Sequence, residues 1–215
     1  MTKIGFDNEK YLRLQSEKIK ERIAAFGGKL YLEFGGKLFD DYHASRVLPG
    51  FKPDSKINML VQLKDQAEIV IVINAEDIEK NKVRGDLGIT YDLDVLRLID
   101  AFRGYGLYVG SVCLTRFNGQ PSAVAYQKKL ESLGLKVFRH YPIAGYPSDI
   151  PYIVSDEGYG KMNILKQAAL LLLSQHRDRA AEKWQPVFPS CITNIREASR
   201  QAMPNMRHSR SGICH

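Results

Sequence analysis

The sequence predicts an α/β fold: an open, mainly parallel sheet of Rossmann-like type with helices on both faces. Three observations carry this. Short apolar runs alternate along the chain with amphipathic stretches of helical length, the pattern that parallel sheets with crossover helices require. One run, "AEIVIVIN" at 67–74, is apolar almost throughout, as expected of a strand covered on both faces. Punctuation residues also fall where helices begin and end, with Pro121 inside one start and Gly134 just past the same helix.

In chain order, "DNEKYLRLQSEKIKERIAAFGG" opens with Asp7 as an N-cap, sets Leu12, Ile19, Ile23 and Phe26 at helical spacing and stops at Gly27. "KLYLEFGG" at 29–36 alternates side chains and ends on two glycines, a first strand. After the strand at 67–74, "YDLDVLRLIDAFRGYG" reads as a helix capped by Asp92, with Leu93, Leu96 and Ile99 inward and Gly104 and Gly106 at its exit. "LYVGSVCLTR" at 107–116 is a strand, "QPSAVAYQKKLESLG" a helix, and "LKVFRH" a further strand. The pentapeptide "FGGKL" occurs at 26–30 and again at 34–38, but without the spacing of a phosphate loop, and reads as turn chemistry.

The chain has 215 residues, 44% of them hydrophobic, enough for one sizeable core. Its formal charge of +7 is unevenly placed. Residues 1–160 hold 22 Lys/Arg against 21 Asp/Glu, whereas 161–215 hold 9 against 3. Basicity confined to a tail gives no reason to expect a nucleic-acid partner for the α/β part. Three scattered cysteines, no apolar leader in "MTKIGFDNEKY" and no run long enough to span a bilayer make a cytoplasmic protein without a membrane partner the expectation.

In open parallel sheets, ligands bind outside the carboxyl ends of the strands. That rule selects Gly35 and Gly36, with Glu33; Asn74, Glu76 and Asp77; Thr115 and Arg116; and Arg139 and His140. Two polar loops add candidates, "KVRGDLGITYD" with Arg84 and Asp86, and "SDEGYG" with Asp156 and Glu157. Arg84 and Asp86 with Asp92 and Asp94 could hold a phosphate or sugar and a cation, or form a solvated loop before a helix whose first turn favours aspartate. His140 is placed for a general base or phosphate ligand, or for one satisfied hydrogen bond. His43, beside Arg46 in a helical context, reads as a surface or packing residue, and Cys113 as a small hydrophobe. The chain contains no H-E-x-x-H, Cys-x-x-Cys, G-x-S-x-G or G-x-x-x-x-G-K-[ST] motif, so no metal site is expected and no catalytic residue is assigned.

Taken together, "IGFDNEKYL", "KLYLEFGGKLFDDYHASRVLPGF", "EDIEKNKVRGDLGITYDLDVLRLIDAFR", "LTRFNGQPSA" and "YPSDIPYIVSDEGYGK" resemble the start of a bacterial family known as domain of unknown function 1846. Its members are much longer, and some carry an ATP-dependent zinc protease label for which these residues supply no ligand set. The resemblance covers residues 1–160 and stops at Lys161. Family members continue there with a strand and a glycine-rich turn, which implies a P-loop-like sheet and a nucleotide or other phosphorylated small molecule as ligand.

The tail is consistent with that continuation read in another frame. Joining the third base of each codon to the first two of the next, Gln175 to Gln185 can encode A-P-G-P-G-S-G-K-M-A, and Leu170 to Ser174 likewise L-V-V-V. One base lost near Gly160 would suffice. On this reading 161–215 is an aberrant, poorly ordered tail on a truncated domain that lacks the phosphate loop. The alternative is a non-catalytic small-molecule or partner-binding module with a genuine basic tail, in which "ILKQAALLLL" at 164–173 forms a greasy helix.

Overall fold

The computed structural model describes residues 5–26, 30–34, 38–39, 42–162 and 171–176. A five-stranded, wholly parallel sheet forms its centre, with strand order β1 (Leu30–Phe34), β7 (Leu171–His176), β2 (Ala67–Asn74), β5 (Tyr108–Thr115) and β6 (Lys136–Arg139). The chain steps from β1 to β2 and outwards to β5 and β6. It then returns to fill the gap between β1 and β2 with β7. The α/β architecture inferred from the sequence is the architecture present.

Helix α1 (Asn8–Phe26) begins as its sequence dictates: Asp7 Oδ1 accepts the Lys10 amide at 3.0 Å. Ile19 is buried, with Leu12 and Ile23 packed against the core. Two short helices, α2 (Tyr42–Val47) and α3 (Ser55–Val61), follow, and α3 contributes Ile57, Met59 and Leu60. Every residue of β2 is buried, which accounts for its continuous apolar run. Ile69, Ile71 and Ile73 face the large core formed with Val95, Leu98, Ile99 and Phe102 of α5 (Tyr91–Gly104) and Ala123, Tyr126 and Leu130 of α6 (Pro121–Ser132). Val70, Val72 and Cys113, none with exposed surface, form a separate cluster with Phe138. Burial pushes the Cys113 thiol up, so it behaves as the small hydrophobe expected. Where β2 meets β5 the register slips between Ile69 and Val70, and the additional residue is Gly110. A Cβ there would strike the buried Glu68 carboxylate.

Three details depart from the sequence reading. Helix α5 is rotated relative to expectation: Ile99 is buried and Leu96 packs against the core as read, but Val95, Leu98 and Phe102 complete the inward face and Leu93 is 46% exposed. Its N-cap position is Thr90, and Asp92 lies in the first turn. The loop at 82–92 contains a hairpin, β3 (Val83–Arg84) with β4 (Ile89–Thr90), turned by Gly88 at φ +67°. Finally, where the alternative reading of the tail sets a helix over 164–173, a strand begins at Leu171, so the sheet draws its second strand from beyond residue 160, while 163–170 lie outside the described residues. A leucine run suits either periodicity. A slot between two parallel strands, offering backbone partners on both sides, decides for the strand. The rest of the tail, 177–215, lies outside the described residues.

Candidate functional site

The carboxyl ends of β2, β5 and β6 come together through backbone and side-chain contacts. At the end of β2, Asn74 Oδ1 accepts the Glu76 amide at 2.9 Å and caps the short helix α4 (Ala75–Glu79). This cap turns the chain over the strand end, with Glu76 and Asp77 in the first turn. Lys82 Nζ donates to both Asp77 oxygens at 3.0 Å and lies 5.2 Å from the centre of the Tyr91 ring.

On β5, Thr115 is fully buried and its hydroxyl donates to the Ile73 carbonyl at 3.4 Å, tying the two strand ends together. Arg116 then leaves the sheet at φ +51°, in the left-handed region that side chains other than glycine disfavour. Gln120 holds this corner: its Nε2 donates to the Arg116 carbonyl at 3.0 Å, and its Oε1 accepts the Asn118 amide at 2.8 Å. The Arg116 side chain, 40% exposed, brings Nε within 3.4 Å of Glu76 Oε1. His140, just past β6, is buried. Its amide donates to the Leu114 carbonyl at 2.9 Å, and its carbonyl accepts from the Phe117 amide at 2.9 Å. Asn74, Glu76, Thr115, Arg116 and His140 therefore share one edge.

Other candidates sit elsewhere. Arg139 turns toward α6, its Nε donating to Gln127 Oε1 at 2.6 Å and its guanidinium 4.6 Å from the centre of the Phe117 ring. Arg84 forms a lock between the hairpin and α5. Nε and Nη2 donate to the two Asp86 oxygens at 2.7 and 2.9 Å, and Nη1 donates to Asp94 Oδ2 at 2.8 Å. Asp94 is completely buried and also accepts from Arg97 Nε at 3.0 Å. Burial works against the Arg84 charge, but the hydrogen bonds and charges of Asp86 and Asp94 outweigh it and raise its pKa. Asp156 and Glu157 are exposed in the turn after α7 (Ile150–Ile153), with the Asp156 side chain against Gly160. Gly35 and Gly36 lie outside the described residues.

Sequence reasoning missed the burial of Asp94 and the bracing roles of Gln120 and Gln127. Asp94 sits beside Val95 among the buried residues of α5, and no hydrophobic spacing in the sequence signals it. Among the described residues, no group of three or more His, Cys, Asp or Glu side chains is arranged to hold a metal ion. Nor is any described helix long and apolar enough to cross a membrane.

Together these features define an open parallel α/β domain whose polar strand ends gather at one edge of the sheet. The family described as "Domain of unknown function DUF1846, N-terminal" matches residues 4–176, and the chain belongs to it. The match runs through β7, past the Lys161 limit of the resemblance. Among named relatives, a UPF0371 protein of Streptococcus pyogenes serotype M1 is 56% identical over 173 residues, covering 80% of this chain and 35% of its own length. A UPF0371 protein of Streptococcus sanguinis is 56% identical over 195 residues, covering 91% and 39% respectively. One from Streptococcus uberis is 55% identical over 173 residues. The chain thus spans little more than a third of the length of these relatives.

Proposed function

We propose that the carboxyl edge formed by β2, β5 and β6 is the cytoplasmic binding site for a phosphorylated small molecule, a nucleotide in the intact family, and that this chain binds it poorly. The observation that carries the reading is Arg116. A half-exposed guanidinium stands at the end of an interior strand on a backbone conformation that costs about 1–3 kcal/mol, and such strain concentrates at ligand sites. Guanidinium matches phosphate in charge and shape. The buried Thr115 and His140 beside it give a fixed polar floor.

The register of β7 supports the second half of the proposal. Its last residue, His176, pairs with Val72, two residues short of the end of β2, so β7 ends at the same edge. In the resembled family a glycine-rich turn follows that strand, and backbone amides of such a turn cradle phosphate. Here the sequence continues Arg177-Asp178-Arg179, without a glycine, as a reading-frame change after Gly160 produces.

Thermal unfolding of this chain and of a frame-restored version, against phosphate, ATP and GTP, tests the reading. A ligand at 100 times its Kd stabilises by about 2.7 kcal/mol. The restored protein should respond, and its Arg116→Ala variant should respond less. A restored protein indifferent to every phosphate-bearing compound overturns the proposal.

A further inference from the structure

The connection leaving β6 is an ordered platform with an exposed apolar surface. Ile143, Ile153, Tyr159 and Met162 form their own small core, separate from the main one. Gly145, at φ +73°, accepts the amides of Ser148 and Asp149 at 2.8 and 2.9 Å. Asp149 Oδ1 accepts the Tyr152 amide at 3.1 Å and caps α7. Gly158 lets the chain pass so close to the Tyr152 and Ile153 carbonyls that a Cβ would collide with both. The segment is thus braced from within.

Its outer surface does not suit water. Residues 144–152 are all exposed, and they include Tyr146, Pro147, Ile150, Pro151 and Tyr152. Ile150 alone is 64% exposed. From Tyr141 to Ser155 the sole charged side chain is Asp149, whose carboxylate is engaged in the helix cap. Rigid surface that is rich in tyrosine and poor in charge has the composition of an interface core.

We infer that this platform is the docking surface for the remainder of the polypeptide that full-length relatives carry beyond the matched segment. The length of that remainder argues for it as occupant: the S. pyogenes relative has nearly two thirds of its chain outside the match. So does its point of departure. The platform leads into β7, the last matched strand, so the remaining chain starts from the element this platform connects to the sheet. The contacting face of that remainder should be apolar and uncharged, matching Ile150 and the two tyrosines.

The test compares this 215-residue chain with a full-length hybrid, in which residues 1–160 continue into the S. pyogenes sequence. Chemical labelling of Tyr146 and Tyr152 is read by mass spectrometry, with Tyr159 as a buried reference. Both tyrosines should label readily in this chain and at least fivefold more slowly in the hybrid, and Ile150→Glu in the hybrid should restore labelling while Tyr159 stays protected. Equal labelling in chain and hybrid overturns the inference. So does protection in the 215-residue chain that grows with its concentration, which would make a second copy the occupant.

Discussion

Replacing Arg84 with alanine should destabilise the domain far more than replacing its other partner, Asp86. Asp94 has no solvent exposure, and Arg84 Nη1 reaches it at 2.8 Å. Removing one member of a buried ion pair costs about 3–5 kcal/mol, because the other charge is left desolvated. Arg97 still donates to Asp94 Oδ1, so the lower end, about 3 kcal/mol, applies. Asp86 is 38% exposed at its side chain, and loss of so solvated a partner costs about 1 kcal/mol or less. With a urea m-value of about 2 kcal/mol/M, the midpoints should fall by about 1.5 M for Arg84→Ala and by about 0.5 M or less for Asp86→Ala. The paired change Arg84→Met with Asp94→Leu should recover most of the loss, since no buried charge is then stranded, Asp86 and Arg97 each being 38% exposed at the side chain. Equal shifts for the two single variants, or a double variant as weak as Arg84→Ala, would refute the assignment of Arg84 as a structural lock.

Three further outcomes follow from particular residues. Arg116→Gly should stabilise this chain by up to about 1 kcal/mol, by relieving the left-handed backbone, while weakening phosphate binding in the frame-restored protein; urea midpoints and ligand titration report the two effects. Gly158→Ala should loosen the platform at a cost of about 1–3 kcal/mol, seen as protease cleavage within 141–162 before the sheet is cut. Burial, with the neighbouring Tyr146, raises the Tyr159 phenol to about 12 from an ordinary value of about 10. The folded state therefore retains a proton that the unfolded state releases. The stability contributed by Tyr159 is full below pH 10 and lost as the pH rises from about 10 through 12. Urea midpoints across that range should fall less steeply in Tyr159→Phe.

The sheet was legible where periodicity or burial dominates: the run at 67–74 is β2, and Pro121 and Gly134 bound α6 as read. The phase of α5 was legible only in part, for Leu96 and Ile99 but not Leu93. Asp94 marks a polar face to any count of hydrophobic spacing, and its burial depends on Arg84, ten residues upstream across a hairpin too short to show a period. The five residues of α4 fail for the same reason. Leu171–His176 as a strand depends on a gap between β1 and β2 that no local window contains. At the candidate site, the strand-end rule found Thr115, Arg116 and His140 because topology alone puts them there. It did not separate Arg139, which turns to Gln127 and Phe117, because which way a strand-end side chain turns depends on the helix packed beside it.

The proposal that this chain departs from its family through a change of frame is tested most directly by the DNA sequence across codons 158–196. The frame offset by one base should read without a stop into the glycine-rich continuation A-P-G-P-G-S-G-K-M-A. A stop codon in that frame, or an offset reading without the glycines, would contradict it and leave the basic tail as a selected part of the protein.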